Sequence, residues 1–255
     1  ETHRRAIESI HSVSTERLDT LLNYVKLFQN QKPKKERNMI NAKHFVKEHS
    51  TRNIPLCFDE AYELGVYLMQ ACRGDELASR QSIALLLALH NQATYAWKKN
   101  GREVGHSLPD DSSEQIAGIC AAIFEHDIAK SEFGFLQPNV PFAMDNCGMG
   151  GDLVLTANVS TIAAFIASVA GIPMCKHGSP GNATPCGSSD FVDLCGIGRL
   201  AEKTMVERCV EKLCFGYTEA LDVRYKHIHI QTHNIAQLPH MNDIIGPITN
   251  PLSPS

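Results

Sequence analysis

Asp145-Asn-Cys-Gly-Met-Gly-Gly-Asp152, followed after five residues by Asn158-Val-Ser-Thr161, is the stretch on which the reading of this chain turns. Gly148, Gly150 and Gly151 fall within four positions, so the backbone there can take positive φ and come close to a ligand. Successive N–H groups in such a loop form a nest for an anion. Asn158, Ser160 and Thr161 stand at the start of a helix expected over 158–170. Their side-chain oxygens and the free N–H groups of the first turn make a second anion site. A glycine loop before a helix is explained equally well by a plain strand–helix turn. The spacing Gly-x-Gly-Gly-Asp, five residues, Asn-x-Ser-Thr is more particular: one loop and one helix end able to grip two phosphate groups.

On either side of this stretch the chain alternates between short apolar runs and helical patterns. Val140-Pro-Phe-Ala-Met144 predicts a buried strand, and the run 158–170, apolar on every side, predicts a buried helix. Ile172-Pro-Met-Cys175 predicts a second buried strand, with Lys176-His177-Gly178 directly after it. A loop is expected over 178–187, helices over 188–194 and 205–213, and a strand over 214–217. Strand–helix–strand alternation implies an α/β fold with a mainly parallel sheet, whose ligands bind at the carboxyl ends of the strands. Lys176 and His177 would then bring a cation and an acid/base-capable ring to the anion site.

The first half reads as helical. Leu18, Leu21, Leu22, Val25 and Phe28 follow helical spacing, and Gln31 to Arg37 is a polar break. Asp59 can cap a helix running to about Cys72, with Gly74 as its stop, and Asp75 or Ser79 opens a helix through the apolar run 83–89. Residues 98–111 read as a loop, and Ser112 with Gln115 forms a capping box for a helix to about His126. The expected division is an N-terminal helical extension over 1–50, a small helical domain over 51–137, and a larger α/β domain over 138–255, incomplete at its C-terminus.

With 43% apolar and 20% charged residues among 255, the chain has an ordinary globular composition. A net charge of -4 argues against a general nucleic-acid binder, although residues 1–50 hold ten Lys/Arg against six Asp/Glu, leaving 14 against 22 for the rest. Nine cysteines without CxxC spacing point away from a disulfide framework or a zinc site and towards a reducing, cytoplasmic setting. His227 and His229 would share one face of a strand, near His233 and His240, but no Cys or carboxylate at ligand spacing completes a metal set. No run reaches the roughly 18 apolar residues of a membrane span, and no signal peptide is expected. The chain opens on Glu1 and stops within the Pro-rich turn from Gly246 to Ser255, so a fragment of a longer chain is expected.

Four motifs, in order and at similar spacing, resemble the anthranilate phosphoribosyltransferase family of the nucleoside phosphorylase–phosphoribosyltransferase class: Gly148-Met-Gly-Gly-Asp152, Asn158-Val-Ser-Thr161, Lys176-His-Gly178 and Gly246-Pro-Ile-Thr-Asn-Pro251. The resemblance runs from about residue 55 to the end. It implies transfer of ribose 5-phosphate from phosphoribosyl pyrophosphate to a nitrogen acceptor, anthranilate or a related aromatic or nucleobase, with Mg²⁺, as in tryptophan biosynthesis. Gly148, Gly150, Gly151, Asp152, Asn158, Ser160, Thr161 and Lys176 would bind the donor, with Ser160 also a metal ligand. His177, Gly178, Ser179, Gly246 and Pro247 would line the acceptor side. A cytoplasmic homodimer is implied by the family alone, with neither a membrane nor a nucleic-acid partner expected.

The chain departs from the family's pattern chiefly on the acceptor side. Met149 replaces a Thr, Leu153 a Gly, and Ser179-Pro-Gly-Asn-Ala-Thr184 a stretch that opens Asn-Arg and carries a Ser pair. Thr232-His-Asn234 stands where an Arg would grip the acceptor's carboxylate, and no Arg follows Arg224. An aromatic carboxylate thereby loses its bidentate partner, which weighs against anthranilate itself. The family's acidic Mg²⁺-binding pair lies beyond the last residue. Two other readings share the fold: a nucleoside phosphorylase, whose Lys-His-Ser lead-in is not matched by Asn146-Cys147-Gly148, and a non-catalytic nucleic-acid- or ligand-binding protein.

Overall fold

Two helices pack so closely that glycine is required at their crossing. Helix α1, Phe58–Ala71, buries Ala61, Leu64, Gly65, Leu68 and Met69, a stripe at helical spacing. Helix α2, Ser113–Ile123, answers with Gly118, Ile119, Ala122 and Ile123. A Cβ on Gly65 would lie 2.5 Å from that of Ala122, and one on Gly118 2.5 Å from Phe58 O, so no larger residue fits at either position. Each fully buried Leu or Ile here contributes about 1.5–3 kcal/mol. The molecule is described by a computed structural model over residues 56–71, 80–81, 83–87, 89, 113–148, 157–181, 186–229 and 241–252, all within the unit 40–255. The readings for 1–50, Gly74, Asp75, Ser79, the 98–111 loop and Ser112 lie outside these residues. Gln115 Oε1 accepts from the Leu56 N–H at 3.0 Å and ties α2 to the start of α1.

Helix α2 runs without a break into a π turn, Phe124–Ile128, closed by the Ala129 N–H on Phe124 O at 2.9 Å. The extra residue turns Asp127 inward. There its carboxylate bonds the backbone N–H of His227 at 3.2 Å and His227 Nδ1 at 2.8 Å.

The remaining described elements form an α/β arrangement. After helix α3, Val159–Val169, come strand β1, Met174–Gly178, and helices α4, Ser188–Leu194, and α5, Lys203–Leu213. Strand β2, Phe215–Glu219, and helix α6, Asn242–Ile248, complete the order. Strands β1 and β2 are parallel, in register from Met174 opposite Phe215 to Gly178 opposite Glu219, and all ten residues are buried. One face of the sheet packs Met174, Phe215 and Tyr217 on Ala164 and Phe165 of α3 and Val192 of α4. The other packs on Val206 and Val210 of α5, which come so near Gly216 that a Cβ there would lie 2.7 Å from Val210 Cγ2. Cys175 on that side joins the large core shared with α1, α2 and α6. No helix among the described residues is long and apolar enough to cross a membrane.

Several local expectations are revised. The run 140–144 makes no strand; a single bridge joins Met144 to Met174, and Phe142 and Met144 are half exposed. Pro141 cannot donate to a ladder, which confines pairing to the end of the run. The second strand begins at Met174 rather than Ile172, because Pro173 has no N–H, and it extends through Lys176, His177 and Gly178 instead of stopping before them. The strand read from Cys214 starts one residue later. Cys214 is the left-handed cap of α5 (φ 55°) and passes its carbonyl to the Met174 N–H at 2.9 Å. Helix α3 is apolar all round, as read, but buries only one side; Val159, Ile162, Ile166 and Val169 are exposed. The turn read from Gly246 is the end of α6. Pro247 brings no N–H, and the helix closes through the Thr249 N–H on Ile245 O at 3.0 Å.

Candidate functional site

The loop that begins at Asp145 is held on two sides. Asp145 Oδ1 accepts from the His177 N–H at 3.1 Å, and its Oδ2 accepts from Asn250 Nδ2 at 2.9 Å. Asn250 Nδ2 also reaches Cys175 O at 3.1 Å, so Asp145 and Asn250 clamp the loop, β1 and the chain after α6 together. Burial pushes the Asp145 carboxyl up; the charge of Lys176, the Asn250 amide and the N–H groups of His177 and Asn146 act against it. Asp145 and Asn250 both lie inside the quoted motifs, yet a clamp across 105 residues has no local signature.

On the other side the loop meets the start of α3. Asn146 Nδ2 donates to Ser160 O at 2.8 Å, and a Cβ on Gly148 would come within 3.9 Å of Ser160 Oγ. Asn158 caps α3, its Oδ1 accepting the Thr161 N–H at 3.2 Å. Thr161 is fully buried and donates through Oγ1 to Ser188 Oγ at 3.0 Å. Gly148, Asn158, Ser160 and Thr161 are thus gathered at one helix end, where free N–H groups and the helix dipole favour an anion. Gly150, Gly151 and Asp152 lie outside the described residues.

Lys176, His177 and Gly178 occupy the carboxyl half of β1. Lys176 and His177 are fully buried. Lys176 Nζ donates to His177 O at 2.7 Å. His177 Nδ1 pairs with Thr218 Oγ1 at 2.8 Å, while its buried Nε2 has no hydrogen-bond partner among the described residues. Burial first, then the charges of Lys226, His229 and Lys176, hold this imidazole well below its ordinary pKa, so it is neutral near pH 7. A Cβ on Gly178 would lie 2.4 Å from Ser188 Cβ, which keeps β1 and α4 in close contact. Beyond it, the Ser179 carbonyl accepts from the Ser189 N–H at 3.1 Å.

Gly246 and Pro247 lie within α6. Gly246 faces the ring of His229, 3.2 Å from where its Cβ would be. His227 and His229 share no face: His227 pairs with Asp127, and His229 Nε2 lies 3.2 Å from Lys226 Nζ. No group of three or more His, Cys, Asp or Glu that could hold a metal occurs among the described residues.

The family model described as "Glycosyl transferase family, a/b domain" matches residues 141–255. The anthranilate phosphoribosyltransferase of Clostridium kluyveri is 35% identical over 190 residues, covering 72% of this chain and 53% of that protein. That of Methanopyrus kandleri is 30% identical over 146 residues, 55% of this chain and 40% of that protein. The chain therefore spans about half the length of the curated relatives it matches. Among solved structures, anthranilate phosphoribosyltransferase from Thermus thermophilus superposes with a TM-score of 0.61 at 24% identity, over 84% of this chain and 56% of that one. The Saccharomyces cerevisiae protein, in complex with PRPP and Mg, gives 0.60 at 20% identity, over 85% and 57%. The fold agrees with these matches: residues 141–255 match the glycosyl transferase family a/b domain, and the chain is similar to anthranilate phosphoribosyltransferases.

Proposed function

We propose that this chain carries the donor site of a phosphoribosyltransferase that moves ribose 5-phosphate from phosphoribosyl pyrophosphate to a nitrogen acceptor. The observation that carries the reading is the joining of the glycine loop to the start of α3, through Asn146 on Ser160 O and Gly148 beside Ser160 Oγ. The free N–H groups of the first turn of α3 favour an anion there, and the loop that meets this turn is of a composition that can form an anion nest. Gly148, Asn158, Ser160 and Thr161, with Gly150, Gly151 and Asp152 from the rest of the loop, are assigned to the donor's phosphates and ribose. Lys176 is assigned as a point charge on that side. His177, Gly178, Ser179, Gly246 and Pro247 are assigned to the acceptor, which is anthranilate or a related aromatic or nucleobase.

The chemistry asked of these residues is positioning and charge stabilisation. The anion site holds the leaving pyrophosphate while positive charge develops on the ribose, and no covalent enzyme intermediate is needed. His177, kept neutral by burial, does not oppose that developing positive charge. Mg²⁺ fits this donor set: it takes few protein ligands and several substrate phosphate oxygens. The space left open by Gly148 next to Ser160 Oγ offers a hydroxyl beside a phosphate cradle. Ser160 would hold the ion, which when bound neutralises charge on the pyrophosphate. A division into a helical part over 51–137 and an α/β part over 138–255, a cytoplasmic location and a homodimer belong to the same proposal and rest on the resemblance.

Calorimetric titration of phosphoribosyl pyrophosphate, with and without Mg²⁺, tests the donor site. Mg²⁺-dependent binding by the wild type, weakened about tenfold or more in Asp152→Asn and Ser160→Ala, is expected for loss of a charged or metal-linked contact. Absence of binding by the wild type in the presence of Mg²⁺ would refute the assignment.

A further inference from the structure

Below Gly178, two hydroxyl groups lead to a buried carboxylate. Ser189 Oγ donates to Glu219 Oε2 at 2.6 Å and lies 2.8 Å from Tyr217 OH. A serine hydroxyl has one proton, so the Tyr217 contact is made with Tyr217 donating. The order is therefore Tyr217 O–H to Ser189 Oγ, and Ser189 O–H to Glu219. Glu219 Oε1 accepts from the Leu221 N–H at 3.1 Å, and Arg199 Nη1 stands 3.8 Å from Oε2. Ser189, Tyr217 and Glu219 are all buried. Burial pushes the Glu219 carboxyl up, and the Ser189 hydroxyl, the Leu221 N–H and Arg199 act against it. An enclosed carboxylate is costly unless its oxygens are bonded, as they are here.

Ser189 belongs to the first turn of α4, and that turn touches the end of β1, the segment that follows it, the head of α3 and β2. The Ser189 N–H holds Ser179 O, and Asp190 Oδ2 accepts from the N–H groups of Gly181 and Gly187, both at 2.8 Å. Both described ends of the connection between β1 and α4 are thereby fastened to one turn. Ser188 packs against Gly178 and accepts from Thr161 at the head of α3. The Ser189 side chain roots the same turn in β2.

We infer that Glu219 is a positioning residue: acting through Ser189, it fixes the first turn of α4, and with it segments 179–181 and 186–187, against the anion-binding end of α3. The functional consequence rests on the donor-site reading above; the mechanical one does not. Residues 179–181 include the expected acceptor position Ser179 and follow His177 and Gly178, so loosening them weakens acceptor binding more than donor binding.

The test compares Glu219→Ala with Glu219→Gln, whose amide oxygen can still accept the Ser189 proton. In ligand-free protein, Glu219→Ala is expected to raise amide exchange across 179–181 and 186–190 about tenfold relative to wild type, with β1 residues 174–177 unchanged. Glu219→Gln is expected to stay within about threefold of wild type. With anthranilate as the probe acceptor, Glu219→Ala should raise its KM about tenfold, leaving phosphoribosyl pyrophosphate affinity within about threefold. If Glu219→Ala does not fold, Ser189→Ala cuts the same link and leaves Glu219 on Leu221 and Arg199. Unchanged exchange in the folded variant, or equal loosening by Gln and Ala, would overturn the assignment. If the wild type binds no phosphoribosyl pyrophosphate, the donor-site reading falls, and the exchange measurement still decides whether Glu219 positions this turn.

Discussion

Replacing Lys226 by Met should stabilise the protein at neutral pH. Lys226 is fully buried, with its Nζ on Thr249 Oγ1 and 3.2 Å from His229 Nε2. Burial lowers its pKa from 10.5 to about 7, and the charges of Asp127, Cys120, Cys147 and Asp145 offset only part of this. The folded-state value is depressed below that of the unfolded chain. Between about pH 7 and 10 the unfolded chain therefore binds more protons than the folded one, and stability rises with pH across that window. Below pH 7 both states are protonated and the full cost is present. At about 1.36 kcal/mol per tenfold in proton affinity, the fall from 10.5 to about 7 corresponds to a ceiling of about 5 kcal/mol. Methionine fills a similar volume without the amine. After the lost hydrogen bonds are set against that ceiling, a gain of about 1–3 kcal/mol at pH 7 is expected. Urea unfolding of both proteins from pH 7 to 10 measures it, and the Met variant's advantage should shrink steadily with pH. A Met variant less stable than wild type at pH 7, or a difference that does not change over this range, would refute the reasoning.

Gly178→Ala should destabilise by about 1–3 kcal/mol, because the new methyl meets Ser188 Cβ at 2.4 Å and β1 must part from α4. The denaturation midpoint reports this, and an unchanged midpoint would mean that the contact yields freely. Asp145→Asn should cost about 1–3 kcal/mol, since two amide donors would face each other where Asn250 Nδ2 now meets a carboxylate oxygen. Asp145→Asn together with Asn250→Asp should recover part of that loss in the same assay. Asn158→Ala removes the cap of α3 and should cost about 1 kcal/mol. In a parallel titration it should weaken phosphoribosyl pyrophosphate binding, whereas an equal change at the far end of the helix, such as Ser168→Ala, should leave it alone.

What the sequence disclosed was local. Asn158 is legible as the start of a helix, and in the structure its side chain caps that helix on the Thr161 N–H. Helices α4 and α5 announce themselves by flanking turns and apolar spacing. Apolar content alone starts strand β1 two residues early, whereas the absent N–H of Pro173 decides where it begins. The same shift sets Lys176 and His177 after the strand, when they are buried residues within it. Gln115 is read as half of a capping box, and nothing local announces its bond to Leu56, 59 residues away. Asp145 and Asn250 are visible as motif letters and not as partners, and Glu219 carries no local signal at all. Contacts of this range arise when segments far apart in the chain pack together, and no periodicity encodes them.

The π turn at 124–128 carries a lesson about chain length. It holds one residue more than an α turn, so α2 is out of step with itself before and after this point. Removing one residue between 124 and 126 would restore the regular repeat and swing residues 127 onward by about 100° around the axis. Asp127 would then leave the backbone and ring of His227, and the start of the 227–229 segment would lose its anchor. A substitution at exposed Glu125 is a surface event, whereas a deletion beside it would rewire the interior. Sequences that align here with a one-residue gap therefore differ in the wiring behind the helix, even where every neighbouring letter agrees.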